Sequence, residues 1–250
     1  MKGKLKLSVV IPCKNEANSI VGTIKSIPSY VDEIIVVDNG STDSTVEAAK
    51  NAGAFVLSDN RKLGGIGYGF AIMTGLSAAS GDYVFTIDAD GSHPANKINA
   101  VLQFMLKNNL DVVSCNRLPL SSDEAISKIR KLGIHILNLE AFLLFGVKTK
   151  DMLSGMFGIK KTTIKKLGLK MGDWNLSPEI KISAATNKSL MFGEFAIAQN
   201  PRTAGESKQI VWDTGTTHFL YILKRRLSFA AKLFGVFSDL KKRPAITKSF

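Results

Sequence analysis

The sequence predicts an α/β fold with a parallel sheet that helices cover on both faces. Apolar runs of strand length alternate with longer segments of helical period, which is the pattern of βαβ units. The 250 residues are 45% hydrophobic and 22% charged, as in a globular protein that can bury a sizeable core. Neither an internal repeat nor a low-complexity linker interrupts the chain. These observations predict one continuous folded unit and exclude a mainly disordered protein.

The apolar runs predict strands at Leu7–Ile11, Glu33–Val37, Phe55–Leu57, Tyr83–Asp88, Val112–Ser114, Met152–Ile159 and Leu190–Ile197. Amphipathic segments predict helices near Ile20–Ile27, Ser44–Ala52, Gly69–Ala79, Lys97–Lys107, Ala125–Phe145, Thr162–Leu167 and Pro178–Ala185. The second helix begins with a capping-box pattern, in which Ser44 precedes Glu47 by three residues. The alternation of strand and helix is regular only as far as about residue 120, so the unit continues with a less regular half.

The charge of the chain is strongly basic and unevenly distributed. There are 33 Lys and Arg against 21 Asp and Glu, a net charge of +12, and residues 201–250 hold ten of the cations against three acidic residues. This excess indicates an anionic partner, which could be nucleic acid, a phosphorylated ligand or a membrane surface. The two cysteines, Cys13 and Cys115, are too few for a disulfide framework and lack the spacing of a zinc site.

No run of about 18 uncharged apolar residues is found, so no transmembrane helix is expected. The segment Phe219–Leu240 alternates apolar residues with Lys and Arg. It is a candidate for a helix that lies in a membrane interface. A terminal helix that packs on the domain and exposes a basic face is the alternative.

Polar clusters directly follow three of the predicted strands. They are Pro12–Glu16, Asp38–Asp43 and Asp88–His93. Ligands of open α/β sheets bind at the carboxyl ends of the strands, so we expect these clusters to converge. Each cluster alone could be ordinary turn chemistry. Two carboxylates one residue apart, Asp88 and Asp90, can however hold a divalent cation against a diphosphate.

Seven segments resemble the motifs of one family, in the family's order over roughly residues 6–215. They are Val10–Glu16, Val36–Asp43, Arg61–Tyr83, Asp88–Pro94, Ser114–Arg117, Asp151–Phe157 and Arg202–Lys208. The family is that of the family 2, GT-A-fold glycosyltransferases. Among its members, the nearest likeness is to dolichol-phosphate mannose synthases and related polyprenyl-phosphate hexosyltransferases.

The resemblance implies a GT-A fold, that is, a Rossmann-like, nucleotide-binding α/β fold with a mostly parallel mixed sheet, followed by an amphipathic C-terminal helix. It implies a glycosyltransferase domain over residues 1–215 and a basic amphipathic tail over 216–250. It also implies a Mg²⁺ or Mn²⁺ ion held by Asp88 and Asp90. The residues expected to bind the nucleotide sugar are Pro12, Lys14, Glu16, Val37, Asp38, Asn39, Arg61, Asp88, Ala89 and Asp90.

The resemblance further implies a cationic site for the acceptor. The residues expected to bind an acceptor phosphate are Arg117, Arg130, Arg202, Ser207 and Lys208, and the expected catalytic group is Asp90, Arg117, Arg202 and Lys208. Arg suits bidentate phosphate contact and Lys acts as a point charge. For Arg130 a solvated helix face is the alternative interpretation. Asp151 is expected to be either a base for a hydroxyl acceptor or an orienting residue.

The chain also departs from the family pattern. Asn39 stands where the nucleoside loop of the family has a second Asp. This difference leaves undecided whether the donor nucleotide is GDP or UDP. It also raises the alternative that the protein is an inactive relative of the family. Leu118 replaces an aromatic residue. The QxxRW motif of processive polysaccharide synthases is absent, which argues against polymer synthesis.

The expected activity is inverting, metal-dependent transfer of mannose or glucose from GDP-mannose or UDP-glucose to a polyprenyl (dolichyl) phosphate. The alternatives are transfer to a hydroxyl of a glycan or glycolipid, and a basic nucleic-acid-binding module. A nucleic-acid partner is not expected, because acidic strand ends would repel phosphates without a metal. We expect peripheral contact with the cytoplasmic face of a membrane, and a membrane-anchoring subunit or a homo-oligomer stays an open alternative.

Overall fold

The computed structural model describes residues 4–62, 66–118, 120–205 and 207–241, except for the side chains of residues 229–241. Within these residues seven strands form one sheet: β1 (Leu7–Cys13), β2 (Glu33–Asp38), β3 (Phe55–Ser58), β4 (Tyr83–Thr86), β5 (Val112–Asn116), β6 (Phe157–Lys160) and β7 (Phe192–Ala196). The helices are α1 (Ile20–Ser26), α2 (Thr45–Asn51), α3 (Tyr68–Ala78), α4 (Ile98–Lys107), α5 (Lys128–Phe145), α6 (Ile164–Leu167), α7 (Leu176–Thr186) and α8 (Val211–Lys241).

The sheet has the order β3-β2-β1-β4-β6-β5-β7. Strand β6 runs antiparallel to both of its neighbours, and every other pair of adjacent strands is parallel. The predicted α/β fold with a mostly parallel mixed sheet is therefore confirmed. Strand β6, the exception, lies between β4 and β5, which both precede it in the chain.

Helices cover both faces of the sheet, and each face has its own apolar core. Side chains of β1 alternate between the two cores: Val9 and Ile11 point to one face and Val10 to the other. Helices α1, α2 and α4 contribute to the first core, whereas α3 and α7 contribute to the second. Because both faces are buried, β1 is apolar along nearly its whole length rather than alternating with polar residues.

The strand directions bring the polar segments of the sequence to one edge of the sheet. The register pairs Cys13 with Asp38 at the carboxyl ends of β1 and β2, and β4, β5 and β7 run in the same direction. Strand β6 is reversed, so the segment that precedes it, residues 151–156, lies at this same edge. The loops after five strands and the loop before β6 therefore share one end of the sheet.

The predicted strand Met152–Ile159 is wrong in its first half, because the strand begins only at Phe157. Backbone groups of residues 152–155 bond to side chains, and pairing with the sheet begins at the carbonyl of Met156, which accepts the N–H of Cys115 at 2.9 Å. Leu153 donates its N–H to Asp151 Oδ1 at 3.1 Å, and Lys181 Nζ donates to the carbonyls of Met152 and Ser154, both at 2.9 Å. A side chain that bonds nearby backbone groups competes with a sheet ladder in this way.

Two predicted helix starts also differ from the structure. The helix predicted from Ala125 begins at Lys128. The capping box is not formed, because the Ser44 side chain makes no capping bond. Asp43 accepts the N–H of Thr45 at 3.0 Å instead, and its carboxylate thereby takes the capping role.

Helix α8 packs along α5 and spans Val211–Lys241. Ile222 of α8 is buried in a small core with Leu137 and Ala141 of α5. The proposed boundary between residues 215 and 216 thus falls inside a helix, and the division into domain and tail stays a prediction. No helix in the described part of the chain is long and apolar enough to span a bilayer.

We expect Gly75→Ala to destabilise the fold. A Cβ at Gly75 of α3 would lie 2.2 Å from Cγ1 of Val10 in β1, so the helix must move away from the sheet. Overpacking of this kind costs about 1 to 3 kcal/mol of unfolding free energy. Urea unfolding followed by circular dichroism measures the change.

Gly22→Ala in helix α1 is the matched control. Nothing lies within 4 Å of a Cβ at Gly22, so the variant should gain about 0.5 to 1 kcal/mol from helix propensity alone. Equal midpoints for the two variants would contradict the close approach of α3 to β1.

The buried Glu140 of α5 gives a prediction for pH. Both of its carboxylate oxygens are buried without a partner among the described residues, and burial raises its pKa to about 7. An acid whose pKa is higher in the folded state destabilises that state as pH rises from its unfolded pKa to its folded one. Glu140→Gln should therefore gain about 1 kcal/mol over the wild type at pH 8 and little at pH 5. Unfolding midpoints in urea at both pH values test this, and an equal gain at both would contradict it.

Candidate active site

One cavity of about 430 Å³ opens at the edge of the sheet where the polar loops meet. It is lined by twelve of the sixteen residues that the sequence predicts for the site: Pro12, Lys14, Glu16, Asn39, Asp88, Ala89, Asp90, Arg117, Arg130, Arg202, Ser207 and Lys208. The other four, Val37, Asp38, Arg61 and Asp151, do not line it. Segments as far apart in the chain as residues 12 and 208 thus meet around a single space.

Asp88 is held at the end of β4 by an aromatic hydroxyl and a histidine. Tyr68 donates its hydroxyl to Asp88 Oδ1 at 2.9 Å, and the backbone N–H of Asp88 donates to Nδ1 of His93 at 2.9 Å. Burial raises the pKa of Asp88, and the nearby charge of Asp90 adds to the rise. A Cβ at Gly155, in the loop before β6, would lie 2.5 Å from the Tyr68 hydroxyl oxygen. Only glycine therefore allows this loop to come so close to Tyr68.

Asp90 is paired with a cation across the cavity. Its Oδ1 accepts the N–H of Ser92 at 2.9 Å, and its Oδ2 lies 2.9 Å from Nη2 of Arg202. Burial raises its pKa, but the Ser92 hydrogen bond and the Arg202 charge outweigh burial, so the pKa of Asp90 is lowered overall. The two neighbouring carboxylates therefore have pKa values that shift in opposite directions.

The residues at this point fit a divalent cation. Asp88 and Asp90 offer two carboxylates, and the buried Ser92 Oγ has no hydrogen-bond partner among the described residues. Those same residues include no cluster of three or more His, Cys, Asp and Glu side chains with metal-binding geometry. A site of two carboxylates suits Mg²⁺, which usually keeps waters and takes phosphate oxygens of a substrate as further ligands.

The segment Gln199–Lys208 crosses over the Asp90 loop. Thr203 donates its N–H and its hydroxyl to the carbonyl oxygen of Asp90, at 3.0 and 2.8 Å. Glu16 holds the segment from the other side, because its Oε1 lies 3.6 Å from Nη1 of Arg202 and pairs with Nζ of Lys208. The cations of this segment are therefore paired with Glu16 and Asp90, two carboxylates that line the cavity.

Arg117 is fixed in the cavity by a two-pronged ion pair. Its Nε and Nη2 donate to Oδ2 and Oδ1 of Asp151 at 2.6 and 2.9 Å. The Asp151 carboxylate is fully buried, yet Arg117 holds the pKa of Asp151 down at about 2 against the effect of burial. Asp151 is consequently ionised, and both of its carboxylate oxygens accept hydrogen bonds from Arg117. It orients Arg117 and does not line the cavity.

Arg130 joins the same group of cations from helix α5. Its Nη2 donates to Oγ of Ser207 at 2.9 Å. Burial lowers the pKa of Arg130, and the positive charges of Arg117 and Arg202 lower it further. This mutual effect marks a strongly electropositive region, which an anion would stabilise.

The loop after β2 is shaped by its own side chains. Asp38 accepts the backbone N–H groups of Gly40 and Ser41, at 3.0 and 3.1 Å. Asn39 donates its side-chain amide to the carbonyls of Asp59 and Gly67, at 2.9 and 3.1 Å. Its amide group thus ties two loops together, a task that a second Asp could not perform without a donor.

Arg61 lies apart from the cavity. Its guanidinium donates two hydrogen bonds to Asp59, from Nε to Oδ1 at 2.9 Å and from Nη2 to Oδ2 at 2.6 Å. Its Cζ atom lies 4.5 Å from the centroid of the Phe70 ring. Val37 is fully buried in the core. The expected contact of Arg61 with a nucleotide sugar stays a prediction.

Three site features escape sequence reasoning. Tyr68 binds Asp88, and Trp174 stacks on Tyr68 with ring centroids 4.5 Å apart, so both line the cavity. Lys181 is fully buried behind Asp151, where burial lowers its pKa to about 7. The only signal for Trp174 was that tryptophan is rare in this chain, with two in 250 residues. The sequence pattern around Lys181 carries no such signal.

The comparisons with known proteins agree with this geometry. The family model of glycosyl transferase family 2 matches residues 8–168. An uncharacterised protein of Methanocaldococcus jannaschii is 30% identical over 190 residues, which is 72% of this chain and 76% of that protein. A UDP-N-acetylglucosamine–dolichyl-phosphate N-acetylglucosaminyltransferase of Methanococcus voltae is 29% identical over 215 residues, which is 76% of this chain and 83% of that protein.

Other relatives are longer than the matched region. An uncharacterised glycosyltransferase of Mycobacterium tuberculosis is 36% identical over 115 residues, so the match spans half of that protein and 46% of this chain. Among solved structures, glucosyl-3-phosphoglycerate synthase from Mycobacterium tuberculosis, in complex with Mn²⁺, UDP and phosphoglyceric acid, superposes with a TM-score of 0.67. It is 23% identical, and the match covers 89% of this chain and 78% of that one.

The structural likeness establishes the same fold. The family model covers more than half of the chain, and its range includes β4, β5 and the loops after them, which carry Asp88, Asp90 and Arg117. The protein therefore belongs to glycosyl transferase family 2.

Proposed function

We propose that the protein transfers a hexose from a nucleoside-diphosphate sugar to a polyprenyl phosphate, with inversion at the anomeric carbon. One observation carries the proposal: the cavity combines an acidic pair, a cluster of cations and an apolar wall. The apolar wall comes from helices α5 and α8, with Ile129, Leu132, Trp212 and Phe219 among its residues. A donor diphosphate, an acceptor phosphate and a lipid chain each have a chemically suitable part of this one space.

Asp88 and Asp90 are suited to the donor end. A divalent cation bound there would neutralise the diphosphate as a Lewis acid. The glucosyl-3-phosphoglycerate synthase structures contain Mn²⁺ or Mg²⁺ together with UDP, which supports Mg²⁺ or Mn²⁺ as the cofactor. Lys14 and Glu16 line the same part of the cavity. The nucleotide base and the sugar stay open between GDP-mannose and UDP-glucose.

The carboxylates of the cavity favour a phosphate acceptor over a hydroxyl. A sugar hydroxyl needs a positioned general base. Asp151 is held by Arg117, Glu16 is held by Lys208 and Arg202, and Asp88 and Asp90 are the candidate metal pair. A phosphate monoester is already ionised near neutral pH and needs no base. It needs cations that hold one polyanion beside another.

In the proposed reaction, the cations of the site hold the acceptor phosphate beside the donor diphosphate. Arg117 and Arg130 would hold the acceptor phosphate, and an acceptor oxygen would attack the anomeric carbon as its bond to the diphosphate breaks. The nucleoside diphosphate leaves with the electron pair of that bond. Arg202 and Lys208 would move from Asp90 and Glu16 to the phosphates, since charge develops there during transfer.

The name of the Methanococcus voltae relative includes a dolichyl-phosphate acceptor, which supports a lipid phosphate for this chain too. Such an acceptor would place the protein at the cytoplasmic face of a membrane. The basic tail over residues 216–250 would contribute to that contact. Phe234, Phe237 and the cations from Lys232 onward lie outside the side chains that the structure describes.

An assay of the purified chain tests the proposal. Labelled GDP-mannose and UDP-glucose are each incubated with Mg²⁺ in detergent, with a dolichyl phosphate, with a glycan bearing free hydroxyls, or with 3-phosphoglycerate. We expect label to enter the lipid fraction with one donor only. Asp90→Asn should lower that turnover by about 10²-fold or more, because removal of one group that stabilises developing charge typically costs that much.

Gln103→Glu on the exposed face of helix α4 is the control and should keep full activity. Labelled glycan or glucosylated phosphoglycerate without lipid product would refute the lipid acceptor while leaving the family assignment intact.

Arg202→Gln should increase the affinity of the free protein for Mn²⁺. In the structure its guanidinium pairs with Asp90, so it competes with a divalent cation for that carboxylate. Loss of a partly exposed competitor is worth up to about 1 kcal/mol, or about fivefold in affinity. Titration of Mn²⁺ followed by electron paramagnetic resonance measures binding without any turnover.

Arg226→Gln is the matched control, since it removes the same charge from α8 near the ring of Phe145. If both variants bind Mn²⁺ with equal affinity, Arg202 does not compete for the metal site.

A further inference from the structure

Helix α5 exposes an apolar face, which is the reverse of the pattern expected for a helix at a protein surface. Eight of its 18 residues are exposed, and six of these eight are apolar. Four of the six, Leu132, Ile136, Leu139 and Leu143, follow the spacing of one helical face and are 50 to 70% exposed. Ile129 and Phe142 flank them, at 43 and 46%. The opposite face of α5, with Ile134, Leu137, Glu140 and Ala141, is buried in the protein.

The neighbouring helix α8 enlarges this surface. It packs against α5, and among its side chains that the structure describes, as far as residue 228, the large exposed apolar ones are Trp212, Phe219, Leu220, Leu223 and Leu227. Trp212 is the most exposed, at 74%. Large contiguous apolar patches mark sites of contact with proteins or membranes. We call these six residues of α5 and five of α8 the α5/α8 face.

The α5/α8 face is continuous with the cavity. Its residues Ile129, Leu132 and Ile136 line the cavity beside Arg117 and Arg130, whereas Leu139, Phe142 and Leu143 lie outside it. From Ile129 to Leu143 the face extends about 21 Å along α5. It therefore leads from the cationic end of the cavity to a part of the surface that the active site does not use.

Cations accompany the α5/α8 face. The exposed residues of α5 include Lys128 and His135 and no acidic residue, and the Lys128 side chain is 88% exposed. On α8, Lys224 and Arg226 are exposed among the apolar residues. Apolar side chains mixed with Lys and Arg complement the acyl chains and anionic head groups of a bilayer interface. The +12 charge of the whole chain acts in the same direction.

We infer that the α5/α8 face docks on the surface of an anionic lipid bilayer and that α5, not the basic tail alone, inserts apolar side chains into it. A helix that is apolar on its exposed face and lies beside cations has the composition of an interfacial helix. The inference rests on the proposed function, because a lipid acceptor is the reason why the enzyme would meet a bilayer. Docking on this face would bring the mouth of the cavity to the depth of lipid phosphates.

The experiment compares two double variants in binding to vesicles. Leu139→Glu/Leu143→Glu places two carboxylates four residues apart on the exposed face of α5, outside the cavity. Asn99→Glu/Gln103→Glu places the same pair on the exposed face of α4. Vesicles of phosphatidylcholine and phosphatidylglycerol at 3:1, without polyprenyl phosphate or donor, are sedimented with each protein.

We expect wild type and the α4 variant to sediment with the vesicles, and the partition coefficient of the α5 variant to fall at least tenfold. Equal partition of the two variants, or no sedimentation of the wild type, would overturn the inference. Light scattering gives the oligomeric state of each protein. If the wild type and the α4 variant are dimers, the α5 variant is a monomer, and all three bind vesicles equally, the face is instead an interface between copies of the chain.

A second measurement does not depend on the folding of the α5 variant. Trp174→Phe leaves Trp212 of the α5/α8 face as the one tryptophan of the chain. Its fluorescence should shift to the blue and be quenched by brominated lipids when vesicles are added. Unchanged emission would contradict docking of this face.

Transfer to a short, soluble polyprenyl phosphate separates the two proposals. The α5 variant should keep this activity, because Leu139 and Leu143 do not line the cavity. Vesicle binding without any transfer to a polyprenyl phosphate would refute the proposed function and leave the docking surface standing. Transfer without vesicle binding would refute the docking surface alone.

Discussion

The ion pair between Arg117 and Asp151 connects the fold to the chemistry of the site. Arg117 directly follows β5, and Asp151 lies in the loop before β6, so the pair joins two segments that the sheet only brings near each other. A buried ion pair is stable only when its remaining donors and acceptors are satisfied. Here the backbone N–H groups of Arg117 and Leu153 also donate to Asp151, and Gln199 accepts from Arg117 at 3.3 Å. The arginine thereby keeps its full charge at the wall of the cavity, in a fixed orientation.

The rest of the site is a balance of opposite charges around that fixed point. Cations of the 199–208 segment neutralise Glu16 and Asp90, and burial, together with the positive charges of Arg117 and Arg202, lowers the pKa of Arg130. Such an arrangement is satisfied best when phosphates join it, because each phosphate relieves repulsion among the cations. The same logic explains why the acidic pair and the basic cluster occur together. In the proposed reaction, neither set alone would hold two anionic substrates side by side.

Sequence reasoning reached the fold and part of the cavity wall, because local pattern predicts the strands and the polar residues at their ends, and the resemblance to the family adds cations such as Arg202. Apolar runs mark the strands, and residues such as Asp88 and Asp90 stand directly after one of them. Asp151 and Lys181 behave differently, since their roles depend on side chains that the fold brings from distant segments. The exposed face of α5 was hidden for a related reason. The sequence of α5 places apolar residues on more than one side of the helix, and only the packing reveals which side is left uncovered.

The position of β6 has a consequence for how the chain is completed during synthesis. Strands β4 and β5 do not pair with each other, and β6, which begins about 40 residues after the end of β5, lies between them and pairs with both. Until residue 160 has left the ribosome, two buried strands keep open edges, and open edges of apolar strands favour aggregation. A fragment of the chain that ends before residue 157 would therefore lack the strand that joins β4 to β5, and the sheet that positions the cavity loops would be divided.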